Sequence, residues 1–406
     1  MRDHTATMAG PHVDTSIWGG EEAFDDLLVE IRDRRDEFDA QRHISHDIVK
    51  RFQQIGVYRA FVPKRFGGMD VSPTEFLCMI EAISAVDGAA GWVASFGVCE
   101  SYLAGLPLSS ITQTWANPDA IFAGAMFPLQ RAEIVGGRYR VCGRWQWASG
   151  CLAADRIGVG IIPERPGALP LMAVLPADAV HIDTSSWHTT GLRGTGSFDV
   201  TVDGVDVEPE WCFQRGGELT PDGPFFRYPT ITIAAQALAV VSLGIARSAI
   251  DLVRQAARPG NPGSATGAAN IGDRGYVQID LAKAEARLRA ARLFFYDSID
   301  AAWTKLTAGD HLDVETANMM RLSCTHVTHE CAAVTDVAYS VAGMAATNTT
   351  NQLSRCWRDV HMPTQHAFMN EATYESAGAV LLGRDAPTGF LGPSLLTGPP
   401  TSETAP

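Results

Sequence analysis

Positive charge is scarce in this chain. Among 406 residues, 32 lysines and arginines face 46 aspartates and glutamates, a net charge of −14. With no basic stripe to neutralise a row of phosphates, a nucleic-acid partner is not expected. Long hydrophobic runs are also missing. The opening stretch MRDHTATMAGPHVDTSIWGG has no apolar core of a secretory signal, and the longest apolar run, ITIAAQALAVVSLGIA (Ile231 to Ala246), is short of a membrane span. The expectation is a cytoplasmic protein with no membrane partner. The eight cysteines, at 78, 99, 142, 151, 212, 324, 331 and 356, contain no C-x-x-C pair. They read as small buried hydrophobes rather than disulfides or zinc ligands. No G-x-G-x-x-G follows a strand and opens a helix, so no nicotinamide-binding domain is expected.

What is present is enough apolar material for a sizeable core: 46% of the residues are hydrophobic. Residues 1–20 read as a disordered N-terminus. From 21 to 119 apolar residues recur at helical spacing, as in HDIVKRFQQIGVYRAFV, where Ile48, Phe52, Ile55 and Val57 approximate one face. From 120 to 228 the period falls to two. In RYRVCGRWQWASG, Tyr139, Val141, Trp145 and Trp147 lie on one side of a strand, and further short β-branched runs suit a compact antiparallel sheet or barrel. From 229 to 384 the helices return as a bundle, opened by a buried central helix at Ile231 and closed by one that begins at Pro363. The Gly/Pro-rich stretch Arg258 to Gly275 is either a lid or a plain connector, and 385–406 reads as a flexible tail.

Several stretches carry a resemblance. GVYRAFVPKRFGG, WHTTGLRGTGSFDVTVDGVDVEP (Trp187 to Pro209) and RCWRD, in that order, resemble the motifs of the acyl-CoA dehydrogenase superfamily from about Asp25 to Gly383. The resemblance implies an α+β fold with an N-terminal helical domain, a small central β-barrel or sheet domain and a C-terminal four-helix bundle, and a homotetramer. It also frames a choice between two chemistries. The dehydrogenases of the superfamily carry a carboxylate base in an EGT motif about eight residues beyond the Arg-Asp aspartate. Here that place, counted from Asp359, holds Ala367 beside His366, and Glu371 is the nearest carboxylate. GRWQWASGCLAADRIG and GAAGWVASFGV are similar to stretches of the two-component oxygenases that hydroxylate 4-hydroxyphenylacetate and seco-steroid phenols, relatives of dibenzothiophene monooxygenase.

That branch implies reduced flavin, FADH2 in preference to FMNH2, with O2 as co-substrate and no metal. A separate NAD(P)H-dependent flavin reductase would supply the flavin, and a small aromatic or heteroaromatic substrate would be hydroxylated by way of a peroxide on flavin carbon C4a. Trp147, Ser149, Gly150 and Arg358 become the candidate flavin contacts, with the Ser149 hydroxyl at ring nitrogen N5; alternatively Ser149 and Gly150 merely form a turn. His366, expected in the first turn of a helix whose dipole disfavours imidazolium, is the candidate base that takes the substrate proton. Asn370 and Tyr374, at i+4 and i+8 on that face, and Trp92, Phe96, Cys99 and Phe127 are candidate pocket walls, though core packing explains them equally well. Cys99 stands where related oxygenases often have a second histidine, which points to a less polar or differently oriented substrate. The stretch THVTHE, with His326, His329 and Glu330, reads as a solvated or interface face rather than a metal site. An acyl-CoA dehydrogenase or related flavin oxidase, and a catalytically silent flavin- or ligand-binding protein, are the competing readings.

Overall fold

Caps and breakers divide the first third of the chain into helices. The computed structural model describes residues 13–217, 219–258 and 270–384. Helix α1 (Glu21–Gln41) stops at Arg42, whose φ of 63° is left-handed, and α2 (His46–Gln54) follows. Ile48, Phe52, Ile55 and Val57 are all buried, as their spacing predicts. Ser72 and Glu75 form a reciprocal capping box with Pro73 at the first position of α3 (Pro73–Val86). Asp87 accepts the Ala90 N–H (2.8 Å) and starts α4 (Gly88–Ala94), every residue of which is buried. Two short helices, α5 (Glu100–Leu103) and α6 (Leu108–Thr114), complete the region.

The N-terminus requires a correction. Residues 13–20, expected to be disordered, include a 3-10 turn at Thr15–Ile17, and Trp18 is 0% exposed, 6.5 Å from the Phe76 ring. A large apolar ring that finds a ready pocket orders the short segment bearing it. Residues 1–12, the tail 385–406 and 259–269 of the Gly/Pro-rich stretch lie outside the described residues. At the two ends of that stretch, Asn270 Nδ2 donates to the Arg258 carbonyl (2.9 Å).

The middle region is a seven-stranded sheet made of β1 (Phe122–Val135), β2 (Arg138–Ala148), β3 (Arg156–Pro163), β4 (Leu171–Pro176), β5 (His181–Asp183), β6 (Phe198–Val207) and β7 (Cys212–Phe213). Its spatial order is β5-β6-β2-β1-β3-β4-β7. The expected antiparallel arrangement holds except between β1 and β3, which run parallel, so the sheet is mixed. The alternation in β2 also breaks before its end. Tyr139, Val141 and Trp145 are buried, but Trp147 is 62% exposed with φ of 67°. Between the pairs Trp145↔Val200 and Ala148↔Phe198 the β2 strand advances three residues and β6 two. That extra residue is a bulge, and it turns the Trp147 ring out of the sheet's own core.

Five helices form the last region: α7 (Thr230–Ala256), α8 (Gly275–Thr307), α9 (Val314–Ala342), α10 (Gln352–Thr364) and α11 (Ala372–Leu381). As a helix, α7 is long and apolar enough to cross a membrane, but 83% of its most apolar window is buried inside the protein. Pro363 does not begin a helix. It sits in the last turn of α10, and 365–371 turn into α11. The helix ends one residue later, at Thr364, and Asn351 starts it by accepting the Leu353 N–H (2.8 Å). The α7 to α10 helices share one core with the N-terminal helices, while the sheet encloses a second, smaller one.

Candidate active site

A cavity of about 680 Å³ opens where the N-terminal helices, the sheet and the α10–α11 turn meet. It is large enough for a small molecule or the ring of a cofactor. Eight of the eleven residues singled out in the sequence line it: Trp92, Phe96, Cys99, Phe127, Trp147, Ser149, His366 and Asn370. Gly150, Arg358 and Tyr374 do not. Gly150 has φ of 72° and its N–H donates to the Thr195 carbonyl (3.0 Å), so it shapes the turn behind Ser149. Arg358 donates to Ser354 Oγ (2.8 Å) on its own helix. Tyr374 lies on α11 with its ring 6.1 Å from that of His329. The i+8 argument fails for Tyr374 because no single helix joins it to His366.

One wall of the cavity is a hydroxyl cluster. Trp92 Nε1–H donates to Ser149 Oγ (3.2 Å), Ser149 and Ser197 hydroxyls lie 2.6 Å apart, and Thr195 and Ser197 hydroxyls 2.7 Å apart. Thr195 and Ser197 belong to the GLRGTGS loop, which is pinned to α10. The Leu192 N–H donates to Asp359 Oδ1 (2.6 Å), and a side chain at Gly191 would fall 2.2 Å from the Arg358 carbonyl oxygen. This explains the Arg-Asp pair: Asp359 anchors the loop. Burial first, then the neighbouring Asp87 carboxylate, push the Asp359 carboxyl up to about 7.

The opposite wall carries His366, Arg215 and aromatic rings. His366 is partly open to the cavity and otherwise surrounded by protein. Its ring centre is 6.1 Å from that of Trp92 and 4.7 Å from that of Phe368. Burial, then the guanidinium charges of Arg215 and Arg321, lower its pKa to about 4, so the ring is neutral at pH 7. The neutrality expected from a helix dipole thus has another cause, since His366 lies past the end of α10. The expected role also changes. Phe368 N–H donates to His366 Nδ1 (3.2 Å), so in the neutral ring the proton resides on Nε2. A ring in that tautomer offers the cavity a donor, not the free acceptor nitrogen that a base requires.

Arg215 was not legible as a site residue, because FQRGGELT reads as an ordinary turn after a strand. Its Nη2 donates to Tyr102 Oη (2.6 Å), and its guanidinium carbon is 4.7 Å from the Tyr102 ring centre and 5.1 Å from that of Phe368. Thr195 and Ser197 were quoted within a motif but not singled out; two hydroxyls flanking a glycine beside a strand start were the available signal. The Cys99 thiol is held protonated by burial and contributes an apolar surface. Among the described residues no aspartate or glutamate lines the cavity, and Glu371 is exposed at the start of α11. A carboxylate that could take a proton beside a thioester is therefore missing from the place where dehydrogenation would need it.

The cavity fits a flavin ring. Hydroxyls, backed by the Trp92 N–H that is bonded to Ser149, line one side for polar ring edges, apolar and aromatic side chains supply the remainder, and Trp147 offers a ring for packing. His326, His329 and Glu330 lie elsewhere: Glu330 pairs with Arg287 (2.7 Å), and His329 Nε2 bonds the Met369 carbonyl (3.0 Å).

Comparison with known proteins agrees with this geometry. Residues 25–109 match the family model for the acyl-CoA dehydrogenase N-terminal domain, and residues 236–371 match that for an acyl-CoA dehydrogenase C-terminal domain. The chain is 48% identical to the indole-3-acetate monooxygenase of Pseudomonas putida over 374 residues, 91% of this chain and 95% of that one. It is 27% identical to the flavin-dependent monooxygenase oxygenase subunit HsaA of Rhodococcus jostii, over 84% of this chain and 92% of that one. A crystal structure of 3-HSA hydroxylase from Rhodococcus sp. RHA1 superposes with a TM-score of 0.82 at 25% identity, covering 89% of this chain and 96% of that chain. The chain belongs to the acyl-CoA dehydrogenase family and, within it, to the flavin-dependent monooxygenases that act on aromatic substrates as the oxygenase of a two-component system.

Proposed function

We propose that the enzyme hydroxylates an aromatic acetate of the indole type at carbon, with Arg215 receiving the carboxylate and the neutral His366 donating a hydrogen bond from Nε2. The observation that carries this reading is the Arg215 guanidinium on the wall of the cavity, across from the hydroxyls and beside the aromatic rings of Tyr102 and Phe368. A carboxylate matches the donor geometry of a guanidinium. The 48% identical relative named for indole-3-acetate supports the same choice.

Bound reduced flavin supplies the two electrons that let dioxygen place one atom on the substrate and the other in water. Ser149 and Trp147 would hold its ring, and Trp92, Phe96 and Phe127 would exclude water and flank the aromatic substrate. An indole ring directs electrons to its own carbon from the ring nitrogen, so no base is needed to start the reaction. The hydrogens of the water are balanced by the reduced flavin, and the neutral His366 would steady the departing oxygen by a hydrogen bond from Nε2 without giving up its own proton. Asn370 offers an amide at the same wall. Gly150 acts through the Ser149 turn, and Arg358 through the docking of α10.

The reading takes FADH2 as the donor in preference to FMNH2, a separate NAD(P)H-dependent reductase as its source, a homotetramer as the assembly and the cytoplasm as the compartment. The test supplies the protein with FADH2 from such a reductase, indole-3-acetate and ¹⁸O2. A product carrying one ¹⁸O atom is expected. Absence of labelled product from indole-3-acetate, with labelled product from uncharged indoles or phenols, would remove the aromatic-acetate assignment.

A further inference from the structure

The hydroxyl cluster on the sheet side of the cavity ends on a group that can only accept. Thr195 Oγ1 donates to the Leu192 carbonyl oxygen (2.9 Å), and the cluster's other end receives the Trp92 N–H, which can only donate. A hydroxyl has one proton to give. With the Thr195 proton directed at Leu192, the proton in the 2.7 Å contact comes from Ser197, and the proton in the 2.6 Å contact then comes from Ser149. Protons along Trp92, Ser149, Ser197, Thr195 and the Leu192 carbonyl all point one way. The three hydroxyl residues are more than nine-tenths buried, so water does not readily substitute for a missing partner.

We propose that this directed chain makes the Ser149 hydroxyl an acceptor toward the cavity, and that the site thereby favours reduced over oxidised flavin. The inference rests on the reading that Ser149 meets the flavin ring nitrogen N5. Reduced flavin carries a proton on N5 and oxidised flavin a lone pair. Ser149, having donated to Ser197 and accepted from Trp92, retains one lone pair for the N5 proton. With reduced flavin the site then contains five hydrogen bonds, the four of the chain and the one to N5. Oxidised flavin requires Ser149 to donate instead. Either the chain reverses, with Thr195 donating to Ser197, Ser197 to Ser149 and the bond to Leu192 given up, or the Ser149–Ser197 bond is given up; each leaves four. Thr195 and Ser197 are thus positioning residues for the redox state of the ligand. Such a preference suits an oxygenase that takes reduced flavin from a diffusible donor and must release the oxidised form.

The experiment is anaerobic titration of the flavin-free protein with FADH2, paired with titration with FAD, followed by protein fluorescence. One hydrogen bond more for the reduced form corresponds to a preference of about 2- to 12-fold. Thr195→Val removes the end of the chain, so that the Ser197 proton turns to Ser149 and Ser149 is left to donate. The ratio of FAD to FADH2 dissociation constants should therefore fall by about the same factor. Ser197→Ala should move the ratio in the same direction, and Thr195→Ser should restore it. A purely structural loss would weaken both ligands together. If Thr195→Val and Ser197→Ala leave the ratio unchanged while Ser149→Ala alters it, the directed chain is wrong although Ser149 contacts the ring. If Ser149→Ala also changes neither constant, the placement of the flavin at Ser149 is wrong. Thermal melting of each variant separates these outcomes from misfolding.

Discussion

The wall that the sheet and its loop contribute to the cavity carries neutral hydroxyls, each with its partner already chosen, whereas the wall around the α10–α11 turn carries an imidazole and a guanidinium. The hydroxyls occupy a rigid frame. Ser149 follows a bulged strand end, and Thr195 and Ser197 ride on a loop bonded to Asp359. The opposite wall is irregular backbone, with His366 between two helices and Arg215 just after β7. A frame of neutral dipoles suits a ligand whose ring edges must be held in one orientation. Irregular backbone bearing charge suits a substrate that differs from one family member to the next.

The largest effect should come from the charged wall. His366→Ala removes a positioned hydrogen-bond donor and should slow product formation by about a hundredfold to a thousandfold, while binding of reduced flavin should persist on the reading that the hydroxyl wall holds it. Rapid-mixing product analysis alongside anaerobic titration checks both halves; unchanged product formation would take His366 out of the chemistry.

Next, Arg215→Met should weaken indole-3-acetate by about ten- to a hundredfold, as for the loss of a charged hydrogen bond, and leave uncharged 3-methylindole nearly unaffected. Equal losses for the two ligands, measured by equilibrium binding, would make Arg215 a packing residue that supports Tyr102 and Phe368.

On the hydroxyl wall the effect should be smaller and of another kind. Ser149→Ala should divert reduced flavin to hydrogen peroxide at the expense of product, with coupling reduced by about fivefold to a hundredfold. The yield of product per FADH2 measures this. Normal coupling would return Ser149 to the role of a turn residue.

The smallest effect is on stability. His366 has a folded pKa of about 4, below the ordinary 6.5, so between these values the unfolded chain binds more protons. Stability contributed by the neutral ring is lost as pH falls from about 6.5 toward 4. Glu100 and Asp359, raised by burial to about 8 and about 7, give a slope of opposite sign. The difference between wild type and His366→Gln isolates the histidine. Urea unfolding between pH 4 and 7 should show the wild type losing stability relative to His366→Gln on acidification, and parallel curves would contradict the buried neutral ring.

Much of this molecule could be read from local pattern. Ser72, Pro73 and Glu75 announce a helix start, Ile48 and Phe52 mark a buried face, and the aromatic residues Trp92 and Phe127 line the cavity. Each depends on neighbours within a turn or two of helix or strand, which is the range over which periodicity and capping operate. The helix supposed to start at Pro363 failed because proline at a first position and proline in a last turn look alike without knowledge of where the helix began. Trp147 failed for a similar reason: a bulge depends on the partner strand, 50 or so residues away in the chain.

The sequence by itself determined the division into helical, sheet and helical regions, the family motifs and the absence of an EGT base, because these are properties of consecutive residues. Tertiary structure decided which nitrogen of His366 holds the proton, that burial together with Arg215 and Arg321 keeps the ring neutral, and that Thr195 and Ser197 stand behind Ser149. The physical reason is one of range. A pKa and a hydrogen-bond direction depend on every charge and partner within a few ångströms, and here those partners come from five separate stretches of the chain, brought together only when the helices and the sheet close around the cavity.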